Sequence, residues 1–141
     1  SSAIPTGEIA SVEGTPMDFR TEKQIGQDIR ADFVQLHFTG GYDHNYVLGR
    51  PGEKKIMANA YCRESGIALE AATDCCGVQF YAGNFIGEQT GKGGAAYHDR
   101  SAFCLESQFY PNAVNEPDFP SPVVKAGDTY HTETSYRFYL R

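Results

Sequence analysis

A chain of 141 residues, 40% hydrophobic and 21% charged, is of a size for one globular domain. Its net charge of −6 argues against a nucleic-acid backbone as partner, and no uninterrupted apolar run nears the roughly 20 residues a membrane helix needs. Cys62, Cys75, Cys76 and Cys104 show neither CxxC metal spacing nor a disulfide-scaffold pattern. The adjacent Cys75 and Cys76 are poorly placed to bridge each other, so reduced thiols in a cytoplasmic protein are expected.

Strand signals dominate in chain order. Thr21 to Ile29 opens on a Thr-x-x-Gln capping pattern and spaces Ile25 and Ile29 four apart, which predicts a helix of two turns at most because Gly26 interrupts it. Lys55 to Cys62 and Ile67 to Thr73 read as strands joined at Arg63-Glu64-Ser65-Gly66, whose Ser-Gly pair suits a hairpin. Val78 to Tyr81 alternates, with Gln79 and Tyr81 on one side and Val78 and Phe80 on the other. Gly87 to Arg100 and Pro111 to Pro122, rich in Gly and Pro, predict long surface connections. Val123 to Asp128 predicts a short strand closed by a Gly-Asp turn, and Tyr130 to Leu140, rich in Thr and Tyr, a terminal strand. These elements predict an all-β chain, residues 1–141 forming a single unit without repeat or linker.

Two acids stand in apolar surroundings. Asp43 lies in Gly41-Tyr42-Asp43-His44-Asn45-Tyr46-Val47-Leu48, and Glu106 in Phe103-Cys104-Leu105-Glu106-Ser107-Gln108. Burying a carboxylate beside such neighbours is costly unless something pairs with it, so both are site candidates. From pattern alone Glu106 reads first as the exposed position of a half-buried strand, and Asp43 equally as an acid closing its own turn. Gln79 offers both donor and acceptor to a hydroxyl, or bonds a neighbouring loop.

The spaced set GYDHNYVL, GVQFYAGN (Gly77 to Asn84) and FCLESQ resembles the C-terminal part of the galactose mutarotase, or aldose 1-epimerase, family. Thr15-Pro16-Met17-Asp18-Phe19-Arg20, similar to the family's TPFDFR, precedes them in the expected order. The resemblance implies a large antiparallel β-sandwich more than twice this length, of which the chain is the C-terminal part. Apolar faces that the absent strands would cover must then be covered by a partner or remain exposed. It implies a cofactor-independent interconversion of the α and β anomers of galactose or glucose. A base removes the proton of the anomeric hydroxyl, an acid protonates the ring oxygen, and the ring opens, rotates and closes on the other face. In that reading Glu106 matches the base, since a free Glu, with a pKa of about 4.3, is ionised at neutral pH. Asp43 matches the residue that holds ring hydroxyls, and Gln79 a second substrate contact.

The family's acid is a His in the missing portion, and none of His37, His44, His98 and His131 matches it. His44, next to Asp43 on the opposite side of a strand, reads as structural or rim. Three departures stand out: Ser107 for Thr, Cys76 for Pro, which should loosen the turn before the strand, and Ala82 for Thr. Gly87 to Gly93 lacks the spacing and the Ser/Thr of a phosphate loop. His98-Asp99-Arg100 is rejected as an acid–base cluster because sequence neighbours seldom converge. The aromatics follow strand alternation and read mainly as core, although Tyr42, Tyr81 or Tyr97 could stack on a sugar. Two rivals remain: a non-catalytic sugar-binding β-sandwich module, and a sugar-phosphate epimerase, which would need clustered cations that the chain lacks.

Overall fold

The computed structural model describes residues 4–141. Strand is the dominant regular element: β1 (Asp43–Val47), β2 (Lys55–Tyr61), β3 (Ile67–Thr73), β4 (Gly77–Tyr81), β5 (Gln89–Thr90), β6 (Ala96–Tyr97), β7 (Cys104–Gln108) and β8 (Thr134–Leu140). Among the described residues one α-helix occurs, α1 (Val34–Thr39), and no helix is long and apolar enough to cross a membrane. The sheets are ordered β1-β4-β7, β2-β3-β8 and β5-β6. Pairings β2–β3, β3–β8 and β5–β6 are antiparallel. The all-β reading therefore holds. By residue contacts the chain divides into two compact units, one running to His44 and adding Phe80–Cys104, the other Asn45–Gln79 with Leu105–Arg141.

The first unit is built on rings. Phe19 meets Tyr42 and Phe80 edge-on at centroid distances of 5.0 and 5.4 Å, and Tyr42 stacks on Phe80 at 5.4 Å. Such pairs add roughly 0.5–1.5 kcal/mol each beyond area burial. Tyr42 is fully buried, and its hydroxyl donates to the Pro16 carbonyl at 2.9 Å, which satisfies the polar end of the ring. Burial, with the Asp28 charge second, pushes the phenol up to about 12. Thr15 holds the entry to this cluster: its hydroxyl donates to Val12 O and accepts from the Met17 amide. Asp18 and Arg20 form a forked pair at 2.9 and 2.8 Å. The TPMDFR segment thus works as scaffold. Asn84, buried, ties the unit together by donating from Nδ2 to Thr39 O and Tyr42 O at 3.1 and 3.0 Å. Gly41 is required beneath it, because a Cβ there would sit 2.3 Å from Asn84 Oδ1 and φ is +142°.

In the second unit β3 is the central strand. It pairs with β2 through a bulge between Ile56 and Ala58, and with β8 over its whole length. Ala68 and Ala71 are buried. The hairpin turn falls as predicted, with Gly66 at φ 70° and its N–H on Cys62 O at 2.9 Å. Ile67 faces Leu140 and Leu69 faces Phe138 across the ladder, and Ile67, Phe138 and Leu140 are 48, 68 and 81% exposed. A separate core joins Cys76, Tyr110, Ala113 and Phe119.

Several local expectations are corrected. Thr21–Ile29 forms consecutive turns rather than a helix (Gln27 N on Gln24 O, Ala31 N on Asp28 O). Lys23 Nζ reaches back to Asp28 and Pro16 O and holds the segment folded on itself. The helix instead occupies Val34–Thr39, where only Leu36 is buried and Gly40 at φ 65° terminates it. Residues 123–128 keep the predicted turn, with Asp128 N on Lys125 O, but form no strand. The terminal strand begins at Thr134 instead of Tyr130. The connection 87–100 carries the small β5–β6 hairpin. Cys76 is fully buried, its carbonyl accepts Leu48 N–H at 2.8 Å, and burial pushes its thiol up.

Candidate active site

Strand alternation selects which side chains of β4 and β7 can work together. In β4, Val78 and Phe80 are buried while Gln79 and Tyr81 are half-buried, as the alternation predicted. In β7 the pattern puts Glu106 and Gln108 on one face and Leu105 and Ser107 on the other. Gln108 Nε2 donates to Gln79 Oε1 at 3.4 Å and to Asn45 Oδ1 at 3.2 Å, which joins three amides from β1, β4 and β7. Gly77 makes that approach possible: a Cβ there would lie 2.7 Å from Asn45 Oδ1 and 3.0 Å from the Tyr110 ring.

The opposite face of β7 is anchored. Ser107 Oγ pairs with Thr134 Oγ1 at 2.7 Å, and Thr134 with Thr73 Oγ1 at 3.0 Å. Thr73, fully buried, also accepts the Cys75 amide at 3.1 Å. Tyr136 adds its hydroxyl to Leu105 O at 2.8 Å. These bonds fix the strand that carries Glu106.

Glu106 itself is exposed. The expectation of an acid buried among apolar residues is thus corrected, because its flanking apolar residues belong to other faces of the strand and its own face is open. Asp43 is half-buried and lies in the first unit, on the same side of β1 as Asn45 by alternation. The Asp43 amide donates to His44 Nδ1 at 3.0 Å. Burial pushes the His44 imidazole down, against the opposing pull of the Asp43 carboxylate and the Gln35 backbone.

Of the three residues singled out in the sequence, Gln79 is thus drawn into a network, and Glu106 stands on the face of that network's β7 member. Asn45 and Gln108 were missed. A signal existed, since each sits two positions after a candidate acid, on the same face of its strand. The rejected cluster disperses: His98 turns to Glu88 at 2.9 Å, Asp99 accepts Gly87 N–H at 2.8 Å, and Arg100 donates to Gly40 O at 2.7 Å. Tyr42, buried in its ring cluster, offers no stacking face. A cavity of about 500 Å³ lined by Ile25, Ile29, Ala82, Arg100 and Phe103, among others, contains none of the three candidates.

Residues 1–137 match the aldose 1-epimerase family. The chain belongs to that family. It is 44% identical to the galactose mutarotase of Bos taurus and 43% to that of Homo sapiens over 136 residues, 96% of this chain and 38% of each relative. It is 36% identical over 138 residues to the aldose 1-epimerase of Escherichia coli K12, of which it spans 40%. The crystal structure of a GalM/aldose epimerase homologue from C. elegans superposes with a TM-score of 0.74 at 28% identity, covering 97% of this chain and 40% of that one. The chain therefore spans about two fifths of the length of the relatives it matches. Its fold is that of the family, and its four cysteines are free thiols, Cys75 and Cys76 buried and Cys62 and Cys104 exposed.

Proposed function

We propose that this chain supplies the base half of an aldose 1-epimerase site that interconverts the α and β anomers of galactose or glucose. Glu106 takes the proton of the anomeric hydroxyl, and Asp43 and Gln79 hold the sugar through hydroxyl hydrogen bonds. The acid that protonates the ring oxygen comes from outside this chain, which spans about two fifths of its relatives' length. The chemistry proceeds without a cofactor. The observation that carries the reading is the open carboxylate of Glu106 on a rigidly anchored strand, on the face from which Gln108 reaches Gln79 and Asn45. A base must reach solvent-borne substrate and hold its place, and positioning of that kind contributes about 10² to 10⁴ in rate. The cytoplasmic location expected from the cysteine usage belongs to the same proposal.

The test is polarimetry on freshly dissolved α-D-galactose, with the chain alone, with a separately made N-terminal portion added, and with Glu106→Gln in both settings. Turnover is expected only in the mixture and only with Glu106. Silence of a verified complex would sink the epimerase reading. Equal sugar affinity and equal lack of turnover in both variants would favour the second reading, a sugar-binding module, in which Gln at this position is tolerated.

A further inference from the structure

We infer that the cavity of the first unit binds a small phosphomonoester, the phosphate held by Arg30 and Arg100 and the organic body by an apolar wall. This goes beyond the epimerase reading, because none of Glu106, Asp43 and Gln79 lines the cavity.

The cavity, of about 500 Å³, lies within one unit: it is lined from the 25–30 turns, by Ala82, and from residues 100–103. Its size falls in the range of roughly 300–1,000 Å³ usual for small-molecule sites. Ile29 and Ala82 are buried, and Phe103 packs edge-on against Phe80 at 6.3 Å, which gives the wall its apolar character. The folded-back turns bring the isoleucines there. Lys23 bonds Asp28 and Pro16 O, and with the segment held in this way Ile25 and Ile29 both line the space. Gly83 sets the other wall close, since a Cβ there would lie 2.5 Å from Ala102 O.

The 12 Lys and Arg are scattered in sequence, yet the fold brings two of them to this cavity, and among the described residues no acid lines it. The nearby acids are engaged elsewhere: Asp28 accepts from Lys23 at 2.9 Å, and Asp99 from Gly87 N–H at 2.8 Å. Arg30 has no ion-pair or hydrogen-bond partner among the described residues. Arg100 donates from Nη2 to Gly40 O at 2.7 Å and keeps the rest of its N–H donors. Its backbone sits at φ 67°, uncommon for a residue with a side chain, and is held there by its N–H on Gly83 O at 2.7 Å. Ser101 Oγ accepts the His98 amide at 2.8 Å, so its own hydrogen is left to donate. Two guanidiniums and a hydroxyl hydrogen thus await an acceptor. A phosphomonoester dianion matches the two charges and offers three terminal oxygens, and each guanidinium fork can take two oxygens of one phosphate. A carboxylate matches one cation only, and a neutral sugar neither.

The experiment is a ¹⁵N–¹H amide titration of the whole chain in 0.15 M salt, where attraction to exposed charge alone is largely screened. Phenyl phosphate is the probe, with inorganic phosphate, benzoate and D-galactose as comparisons. Phenyl phosphate is expected to shift the amides of residues 25–30 and 100–103 saturably. Inorganic phosphate should shift the same amides with affinity about tenfold or more weaker, for want of the apolar body. Benzoate and galactose should leave them in place at the same concentrations. Arg30→Gln removes no bond among the described residues, so it should fold as wild type and weaken phenyl phosphate about tenfold or more, the loss of a charge-assisted hydrogen bond. Arg100→Gln should do the same, and the Arg30→Gln result decides the matter even where Arg100→Gln, losing its bond to Gly40, fails to fold. No saturable shift in the wild type, or unchanged affinity in Arg30→Gln, would overturn the site. Benzoate binding as tightly as phenyl phosphate, or galactose shifting the same amides, would overturn the ligand class. None of these readouts depends on turnover at Glu106.

Discussion

Asn84 closes the GVQFYAGN segment, and its replacement by alanine tests whether that residue is scaffold. The side chain is 5% exposed and its Nδ2 donates to Thr39 O and Tyr42 O. Tyr42 O keeps a second partner in the Ala82 amide at 2.9 Å, so it stays satisfied in the variant. Thr39 O, at the end of α1, loses its Asn84 donor. Two lost bonds at about 1 kcal/mol each, with part of a desolvation cost of about 1–3 kcal/mol for the carbonyl, sum to about 2–4 kcal/mol. Asn84→Asp should be worse at neutral pH, because it keeps the volume but sets a carboxylate against two carbonyl oxygens. The assay is urea unfolding followed by tyrosine near-UV circular dichroism, the chain having nine Tyr and no Trp. With a slope of about 1–3 kcal/mol/M, the alanine midpoint should drop by about 1 M or more. A change below about 0.5 kcal/mol, or an aspartate no worse than alanine, would refute the reasoning.

Gly77→Ala should cost about 1–3 kcal/mol by overpacking, since its Cβ would press on Asn45 and Tyr110, and a thermal melt should show it. Asp18, held near a pKa of about 2 against 3.8 by its hydrogen bonds to Arg20, contributes stability that is present above about pH 4 and is lost as pH falls toward 2. Acid titration of Asp18→Asn should lack that portion of the loss, and an unchanged acid limb would count against the pair. Cys62 has its thiol pushed down by a hydrogen bond from Ser65, so more of it is thiolate at neutral pH. Iodoacetamide should therefore alkylate Cys62 before the other exposed thiol, Cys104, and Ser65→Ala should slow the reaction, as peptide mass mapping over time would show. In the reconstituted mixture, Glu106→Gln should lower the polarimetric rate by about 10² or more.

Much of the fold was legible because the strands obey a local rule. Ile67–Thr73 was read with its final bounds, and the Ser-Gly turn identified the hairpin, since a left-handed residue at Gly66 is a chemical requirement there. The helix was misplaced because Ile25 and Ile29 satisfy a helical spacing, while the Lys23 contacts that fold the segment back are not visible in periodicity. Tyr130–Glu133 looked like strand by composition, yet the β3–β8 ladder ends at the Thr73–Thr134 pair, and past it Glu133 turns its N–H to the Asp74 carboxylate at 2.9 Å instead of continuing the ladder. The site was legible only residue by residue. Gln108 meets Asn45 across 63 positions and Gln79 across 29, and such meetings are decided by sheet pairing rather than by any property of the segments alone.

The ladder of β8 on β3 carries a consequence for how the chain acquires its structure. β2 and β3 are joined by the five residues Cys62 to Gly66 and can zip locally, whereas Thr134 reaches Thr73 from 61 positions away. Closing so long a loop is slow, so β3 spends the early life of the molecule with one open edge lined by Ile67, Leu69 and two buried-to-be alanines. During synthesis that edge emerges from the ribosome well before the strand that will cover it, and anything able to add a strand competes for it in the interval.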